Sequence, residues 1–283
     1  MPTGRHFPAL ILFACAAPAC LLAQWPGYPT PGVPRTSAGK PVLTAPTPRT
    51  ADGHPDFTGI WQNDRTVGGT VAARSSASPP KTNQDLLAIA RRSPFWNIGS
   101  LFKDGLPFQP GAAELHRQRM ADNSRDNPDA HCLPMGILQF DNHSEPRKMI
   151  QTPREILILY EANAGLRQIF TDGRPQPKDP DPWWYGYSTG HWEGDTLVVE
   201  STGFRDQGWL DVEGSPLSDA ARIFERFRRP DFGRLEIEVT VDDPKAYTHP
   251  WTVSIHQHIL VDTELIEFVC QENEKDAAHL TGN

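Results

Sequence analysis

The sequence is poor in cysteine, has no block of Lys or Arg, and lacks a long unbroken apolar run. Four cysteines occur among 283 residues, and the formal net charge is −8 at pH 7. An acidic chain without a basic cluster argues against nucleic acid and anionic lipid surfaces as partners. The apolar run from Ala9 to Leu22 is too short and too interrupted by Pro18 for a membrane span, so we expect no transmembrane segment.

Sequence motifs for common cofactors and nucleophiles are also missing. The chain contains no phosphate loop, dinucleotide fingerprint, nucleophile elbow or zinc-protease motif. This excludes most cofactor-dependent classes of enzyme, and we expect no cofactor.

The first 23 residues have the pattern of a secretory signal. A basic start at Arg5 precedes the apolar run, and small residues allow cleavage after Ala19 or after Ala23. Cleavage after Ala19 would make Cys20 the first mature residue and a possible lipid anchor. This option is less favoured, because Ala17 stands where a lipidated cysteine usually has Leu. We therefore expect a secreted, periplasmic protein.

Cys132 and Cys270 are the two cysteines outside the signal. In an oxidising compartment they most simply form one disulfide. Closing so long a loop would stabilise the fold by about 4–5 kcal/mol on the chain-entropy model. Two separate buried thiols are the alternative; a catalytic thiol is disfavoured, because neither cysteine belongs to a CxxC pair or a known nucleophile motif.

The mature chain divides into a proline-rich segment and one domain. Residues 24–51 include seven prolines and almost no large apolar residue, which predicts a linker or an arm lying on the domain. Residues 52–283 are expected to form a single domain. An insertion at 67–134 is rich in loop residues and contains two short helical patterns, at 82–92 and 111–121.

Strand patterns dominate the rest of the domain. They begin with "PDFTGIWQ" at 55–62 and recur at short intervals from residue 147 to "ELIEFVCQE" at 264–272. Leu235, Ile237, Val239 and Val241 alternate with polar residues, as in a sheet with one buried face. About eight to ten strands fit this region, enough to close a small barrel. The predicted fold is mainly β, an antiparallel up-and-down, lipocalin-like barrel with a proline-rich N-terminal arm and a short helical insertion.

Several long strings of the sequence form a recognisable set: "ADGHPDFTGIW", "CLPMG", "GHWEGDTLVVESTGF" and "ERFRRPDFGRLEIEVTVDDPKAYTHPW". Together they resemble an uncharacterised family of secreted bacterial proteins that is abundant in acidobacteria. The resemblance implies secretion and a common β-rich fold, but no established activity. Relatives often carry His in the turn after "LYE" and after "DGRP", where this chain has Ala162 to Gly165 and Gln176. A reaction assigned to those histidines would therefore not transfer.

A shorter motif is similar to lipocalin-like barrels. Gly59-Ile60-Trp61 gives the Gly-x-Trp of a first strand, and a meander of strands follows it. The resemblance implies binding of small hydrophobic molecules, or, in a minority of such barrels, a cofactor-free reaction.

Glu225 is the candidate acid or base. It shares a strand face with Ile223 and Phe227, and burial among apolar neighbours would raise its pKa. Arg167 or Arg226 would hold a substrate carboxylate in a bidentate pair. The favoured alternative is a structural ion pair between Glu225 and an Arg on the next strand.

His256 and His258 lie two residues apart in "WTVSIHQHIL" and would share one strand face. They supply at most two metal ligands, whereas a zinc site needs three or four. We favour a polar face or a pocket lining, with a catalytic role if the protein is an enzyme, and we predict no metal site.

An aromatic cluster in "DPWWYGYSTGHW" is the candidate ligand-binding element. Such a group would form a stacking platform over a ring-shaped ligand or would plug one end of the barrel. Its members are Trp183, Trp184, Tyr185, Tyr187 and Trp192.

These features predict a protein that binds a small hydrophobic or aromatic molecule in a barrel pocket. The alternative function is a cofactor-independent lyase or hydrolase, of decarboxylase, hydratase or isomerase type, acting on a small aromatic or carboxylate substrate.

Overall fold

A computed structural model describes residues 29–64, 93–270 and 272 of the chain. The predicted signal with its cleavage sites, Cys20 and the helical pattern at 82–92 lie outside the described residues.

The described chain is mainly β. Its helices are α1 (Pro110–Ala121), α2 (Ile137–Asp141) and three short 3-10 helices at Ile98–Leu101, Pro128–His131 and Ala162–Ala164. Its strands are β1 (Gly59–Asn63), β2 (Arg147–Gln151), β3 (Glu155–Tyr160), β4 (Leu166–Phe170), β5 (Tyr187–Glu193), β6 (Thr196–Thr202), β7 (Gly208–Trp209), β8 (Pro216–Leu217), β9 (Arg222–Asp231), β10 (Arg234–Asp242) and β11 (Trp251–Leu260).

Nine of these strands close into a barrel. Their order is β1-β11-β10-β9-β6-β5-β4-β3-β2, and β7 pairs with β8 in a separate two-stranded sheet. The strands at the two ends of this order, β1 and β2, pair with each other and complete the closure. Among the nine described barrel strands, closure leaves no free sheet edge, and it turns one face of each toward a common interior.

The prediction of an all-antiparallel meander is wrong at one pair. β4 and β5 are parallel, with Ile169 opposite Ser188, whereas the other neighbours in the barrel are antiparallel. The connection at 171–186 is long enough to return in extended form to the side where β4 begins. The Gln176 amide holds this connection against the sheet by donating to the Glu200 carbonyl (2.7 Å) and to Thr189 Oγ1 (3.1 Å). The barrel is therefore mixed.

Alternation along the last strands separates the interior from the outer face. Leu235, Ile237, Val239 and Val241 are all at most 1 % exposed, as predicted from their spacing. The prediction of a further strand at 264–272 is wrong for residues 264–270, which form none. Glu264 instead pairs with Lys148 of β2 (2.6 Å).

One end of the barrel is covered by the chain that precedes β1. The carbonyls of Leu43 and Ala45 accept hydrogen bonds (both 2.8 Å) from the backbone of Gly233 and Phe232, in the turn between β9 and β10. Beneath this cover, Arg229 stacks over Trp61 at 4.8 Å. Burial lowers the pKa of Arg229 to about 10. This end is therefore filled by packed side chains.

The other end is covered by the helical segments. α2 is buried along its whole length, and its Phe140 stacks on Tyr160 at a centroid distance of 4.3 Å. A disulfide joins Cys132, after the second 3-10 helix, to Cys270, with an S–S distance of 2.06 Å. This agrees with the predicted pairing. Within the described ranges, no helix has the length and apolarity needed to cross a membrane.

Candidate functional site: a polar layer inside the barrel

A layer of polar side chains crosses the interior of the barrel, and we call it the polar layer. Its members come from α2 and from six strands, each at an inward-facing position, and all of them are at most 3 % exposed. Buried polar groups in such number need hydrogen-bond partners to be compatible with folding. The polar layer consists of Asp141, Arg147, Arg167, Ser188, Ser201, Glu225 and Gln257.

Arg167 and Glu225 form the first half of the polar layer. Arg167 Nη1 donates to Glu225 Oε1 (2.9 Å), and Nη2 donates to Glu225 Oε2. Nη2 also contacts the hydroxyls of Ser188 (3.3 Å) and Ser201 (3.1 Å). Burial by itself lowers the pKa of Arg167, but the attraction of Glu225 outweighs it, so the net shift is upward. Both oxygens of Glu225 are thus engaged by a permanently charged partner.

Arg147 and Asp141 form the second half. Arg147 Nη1 donates to Asp141 Oδ1, and Arg147 Nε donates to Gln257 Oε1 (3.1 Å). The guanidinium carbon lies 5.8 Å from the centre of the Tyr160 ring. Burial, with a smaller contribution from the nearby charge of Glu225, raises the pKa of the Asp141 carboxyl to about 6 against the opposing effect of Arg147.

Four polar atoms in and beside the layer have no protein partner. They are buried, and each belongs to a side chain that is at most 4 % exposed. A buried donor or acceptor without a partner costs about 1–3 kcal/mol, so a molecule that bonded to these atoms would recover that energy. The atoms are Asp141 Oδ2, Tyr160 Oη, Arg167 Nε and Gln257 Nε2.

An aromatic wall formed by Phe140, Tyr160 and Tyr185 adjoins the polar layer. The ring of Tyr185 lies 5.5 Å from Phe140 and 6.2 Å from Tyr160, and it is only half-buried. Burial raises the pKa of both tyrosines, which keeps their hydroxyls protonated. Gly165 allows the close packing, because a Cβ there would lie 2.9 Å from Tyr185 Oη. The wall thus connects the polar layer to the surface.

The structure separates the predicted catalytic residues into an interior pair and an outer group, in which Arg226 and His256 line one surface cleft. Arg167 and Glu225 form an ion pair inside the barrel, which agrees with the alternative interpretation of Glu225 as a structural residue. That interpretation placed the arginine on the next strand, whereas Arg167 lies on β4, which is not adjacent to β9. Arg226 faces outward and pairs with Glu193 at 3.0 Å.

His256 and His258 lie on the outer face of β11. The inward positions of that strand are Ile255, Gln257 and Ile259, all buried. The histidines are therefore separated from Glu225 by the wall of the barrel. Among the described residues, no group of three His, Cys, Asp or Glu side chains is placed to hold a metal ion.

The predicted aromatic cluster does not form one platform. Tyr185 belongs to the aromatic wall, whereas Trp192 stacks on His54 (4.5 Å) near the opposite end of the barrel. Trp183 is 39 % exposed and lies edge-on to Tyr187. Trp184 lines a surface cleft of about 360 Å³ beside α1.

Sequence reasoning missed seven residues of the polar layer and the aromatic wall: Phe140, Asp141, Arg147, Tyr160, Ser188, Ser201 and Gln257. Arg147 lies two residues from the buried Met149, and Gln257 lies two residues from the buried Ile255, so their inward position was readable from period-two spacing. Tyr160 ends a strand at an inward position. Asp141 comes from a five-residue helix that gave no recognisable sequence signal.

No protein-family model matches the chain, and no curated protein or solved structure is significantly similar to it.

Proposed function

We propose that the protein is a secreted, lipocalin-like binding protein whose ligand is a small aromatic molecule with a polar end. The polar end would bond to the polar layer, and the ring would pack against the aromatic wall. The observation that carries this proposal is that the polar layer and the adjoining Tyr160 hold four buried polar atoms without protein partners: Asp141 Oδ2, Tyr160 Oη, Arg167 Nε and Gln257 Nε2.

Two contributions to the binding free energy support this proposal, hydrogen bonds to the unpartnered buried groups and stacking on the aromatic wall. Each hydrogen bond to a buried, unpartnered group recovers part of a desolvation cost already incurred on folding. Offset or edge-to-face stacking on Phe140, Tyr160 and Tyr185 would add about 0.5–1.5 kcal/mol per ring pair beyond area burial. A few convergent polar groups beside an aromatic surface are typical of small-molecule sites.

Secretion is supported by the disulfide between Cys132 and Cys270, because such bonds persist mainly in oxidising compartments. We also propose membership of the secreted bacterial family that the sequence resembles, and that residues preceding β1 serve as an arm that closes one barrel end. Its contacts with Phe232 and Gly233 support that role.

A second candidate function is a cofactor-independent lyase, with Asp141 in the role first assigned to Glu225. Both oxygens of Glu225 accept hydrogen bonds from Arg167, so neither is left unpartnered for a ligand. Asp141 keeps Oδ2 free, and a carboxyl with a pKa of about 6 exchanges protons near neutral pH.

The test is a titration of the mature, disulfide-bonded protein with para-toluamide and para-toluate, with binding measured by calorimetry and by aromatic fluorescence. Tyr160→Phe removes only the unpartnered hydroxyl, and we expect it to weaken binding by about 2- to 10-fold. Tyr187→Phe, on the outward side of β5, is the matched control. The double variant His256→Ala, His258→Ala should also leave affinity unchanged.

Failure of both probes to bind, or equal affinity in Tyr160→Phe and the wild type, would contradict the proposal. Chromatography of the bound ligand separates the two functions. A binding protein returns the ligand intact, whereas a lyase consumes it and loses turnover on Asp141→Asn.

A further inference from the structure

The formal charges of the polar layer cancel. Two guanidinium groups face two carboxylates, and each arginine is bonded to one acid, Arg147 to Asp141 and Arg167 to Glu225. The other members, Ser188, Ser201 and Gln257, are uncharged. The adjoining Tyr160 hydroxyl is also neutral, because burial raises its pKa.

A charged group of a ligand bound at the polar layer would have no counter-ion of its own, because each arginine already pairs with an acid. Burying an ion without a dedicated partner is expensive, and drawing an arginine away from its acid would only transfer that cost. The two arginines therefore do not make an anion site. Their charge is already neutralised inside the protein.

The unpartnered atoms also determine which hydrogen-bonding groups a ligand must carry. Arg167 Nε and Gln257 Nε2 are donors, and the Tyr160 hydroxyl is both a donor and an acceptor. Asp141 Oδ2 is an acceptor while the carboxyl is ionised. A ligand that satisfies these atoms must accept and donate at the same end, whereas a carboxylate only accepts and would face the Asp141 oxygen.

We propose that the site selects uncharged aromatic molecules whose polar end carries both a hydrogen-bond donor and an acceptor, as in a primary amide, and discriminates against the matching carboxylates. This inference rests on the proposed binding function and names the chemical class of its ligand.

The test compares para-toluamide with para-toluate, which have nearly the same shape and differ in charge. At about pH 8, where Asp141 is ionised, calorimetry of the wild type should give at least about tenfold tighter binding of the amide.

Two variants change the charge of the layer in opposite directions. Asp141→Asn leaves Arg147 without its acid and makes the layer positive. Gln257→Glu offers Arg147 a second carboxylate and makes the layer negative, with little change in volume. The ratio of toluate to toluamide dissociation constants should be largest in Gln257→Glu, intermediate in the wild type and smallest in Asp141→Asn, each step being at least about tenfold.

The matched control is Glu200→Gln, which removes one negative charge from the outer face of β6, where Glu200 pairs with Arg222 (2.6 Å). Its ratio should equal that of the wild type. Gln257→Glu keeps the test decisive if Asp141→Asn fails to fold.

The outcomes separate the two claims. If neither probe binds the wild type, both the proposed function and this inference fail. If toluate binds the wild type as tightly as toluamide, the binding function stands and the charge-balance inference is wrong. A preference for the amide that does not change in either variant would also overturn it, because the preference would then have another origin.

Discussion

Arg167 and Glu225 form a two-point ion pair across the interior of the barrel, between strands that are not neighbours. β5 and β6 separate β4 from β9 in the sheet, yet the side chains of both residues are at most 1 % exposed and meet in the middle. The pair therefore links two strands of the barrel, β4 and β9, that share no backbone hydrogen bonds.

Removing one partner of this pair should be strongly destabilising. Glu225→Gln leaves a buried guanidinium uncompensated, and we expect the free energy of unfolding to fall by about 3–5 kcal/mol. The double variant Arg167→Met, Glu225→Leu should recover most of that loss, because it removes both charges. Urea denaturation of the single and double variants measures the coupling.

The outer pair Arg222 and Glu200 is the control for the buried one. It is solvent-exposed, so Glu200→Gln should cost less than about 1 kcal/mol. Equal costs for the buried and the exposed glutamate would contradict the role assigned to the interior pair.

The disulfide should contribute substantially to stability. Cys132 and Cys270 are separated by 138 residues, and for so long a loop the chain-entropy model gives about 4–5 kcal/mol. Cys132→Ser, Cys270→Ser should lower the urea midpoint accordingly, and a reductant should shift the wild type to the same midpoint. A reductant effect on the double variant would show that the loss has another cause.

Gly136 should be intolerant of any side chain. A Cβ at this position, just before α2, would lie 2.1 Å from the backbone oxygen of Trp209. Gly136→Ala must therefore displace α2, which carries Asp141, and we expect loss of both stability and ligand affinity. The control is Gly111→Ala in α1, where a Cβ meets nothing within 4 Å. That change should stabilise the protein by up to about 1 kcal/mol, by helix propensity.

Local periodicity predicted the β-rich fold and the buried face of β10 well. Leu235, Ile237 and Val239 alternate with polar residues, and this pattern needs no knowledge of distant chain segments. The same rule places Glu225 inside, because Ile223 and Phe227 flank it at the same spacing.

The contacts of the site were not predictable in this way. The pairing of Arg167 with Glu225 depends on barrel closure, which sets distances between strands that share no hydrogen bonds. The parallel pairing of β4 and β5 depends on the path of residues 171–186. Which face of "SIHQHI" turns inward is decided by Ile255 and Ile259, and they carry Gln257 inside and both histidines outside.

Asp141 should make stability depend on pH in a direction opposite to that of an ordinary ion-paired aspartate. Burial raises its pKa from the ordinary value of 3.8 to about 6 in the folded state. Between these two values the folded protein binds more protons than the unfolded chain, so the free energy of unfolding falls as pH rises through the window. The stabilisation is fully present below the unfolded pKa and is lost above about pH 6.

Asp141→Asn cannot titrate, and the other ionisable groups are common to both proteins. The difference in unfolding free energy, wild type minus Asp141→Asn, should therefore decrease from about pH 4 to about pH 7 in urea denaturation. A difference that grows with pH would mean that Arg147 outweighs burial and holds the Asp141 pKa below its usual value. Asp141 would then lose its assignment as the proton-exchanging group of the site.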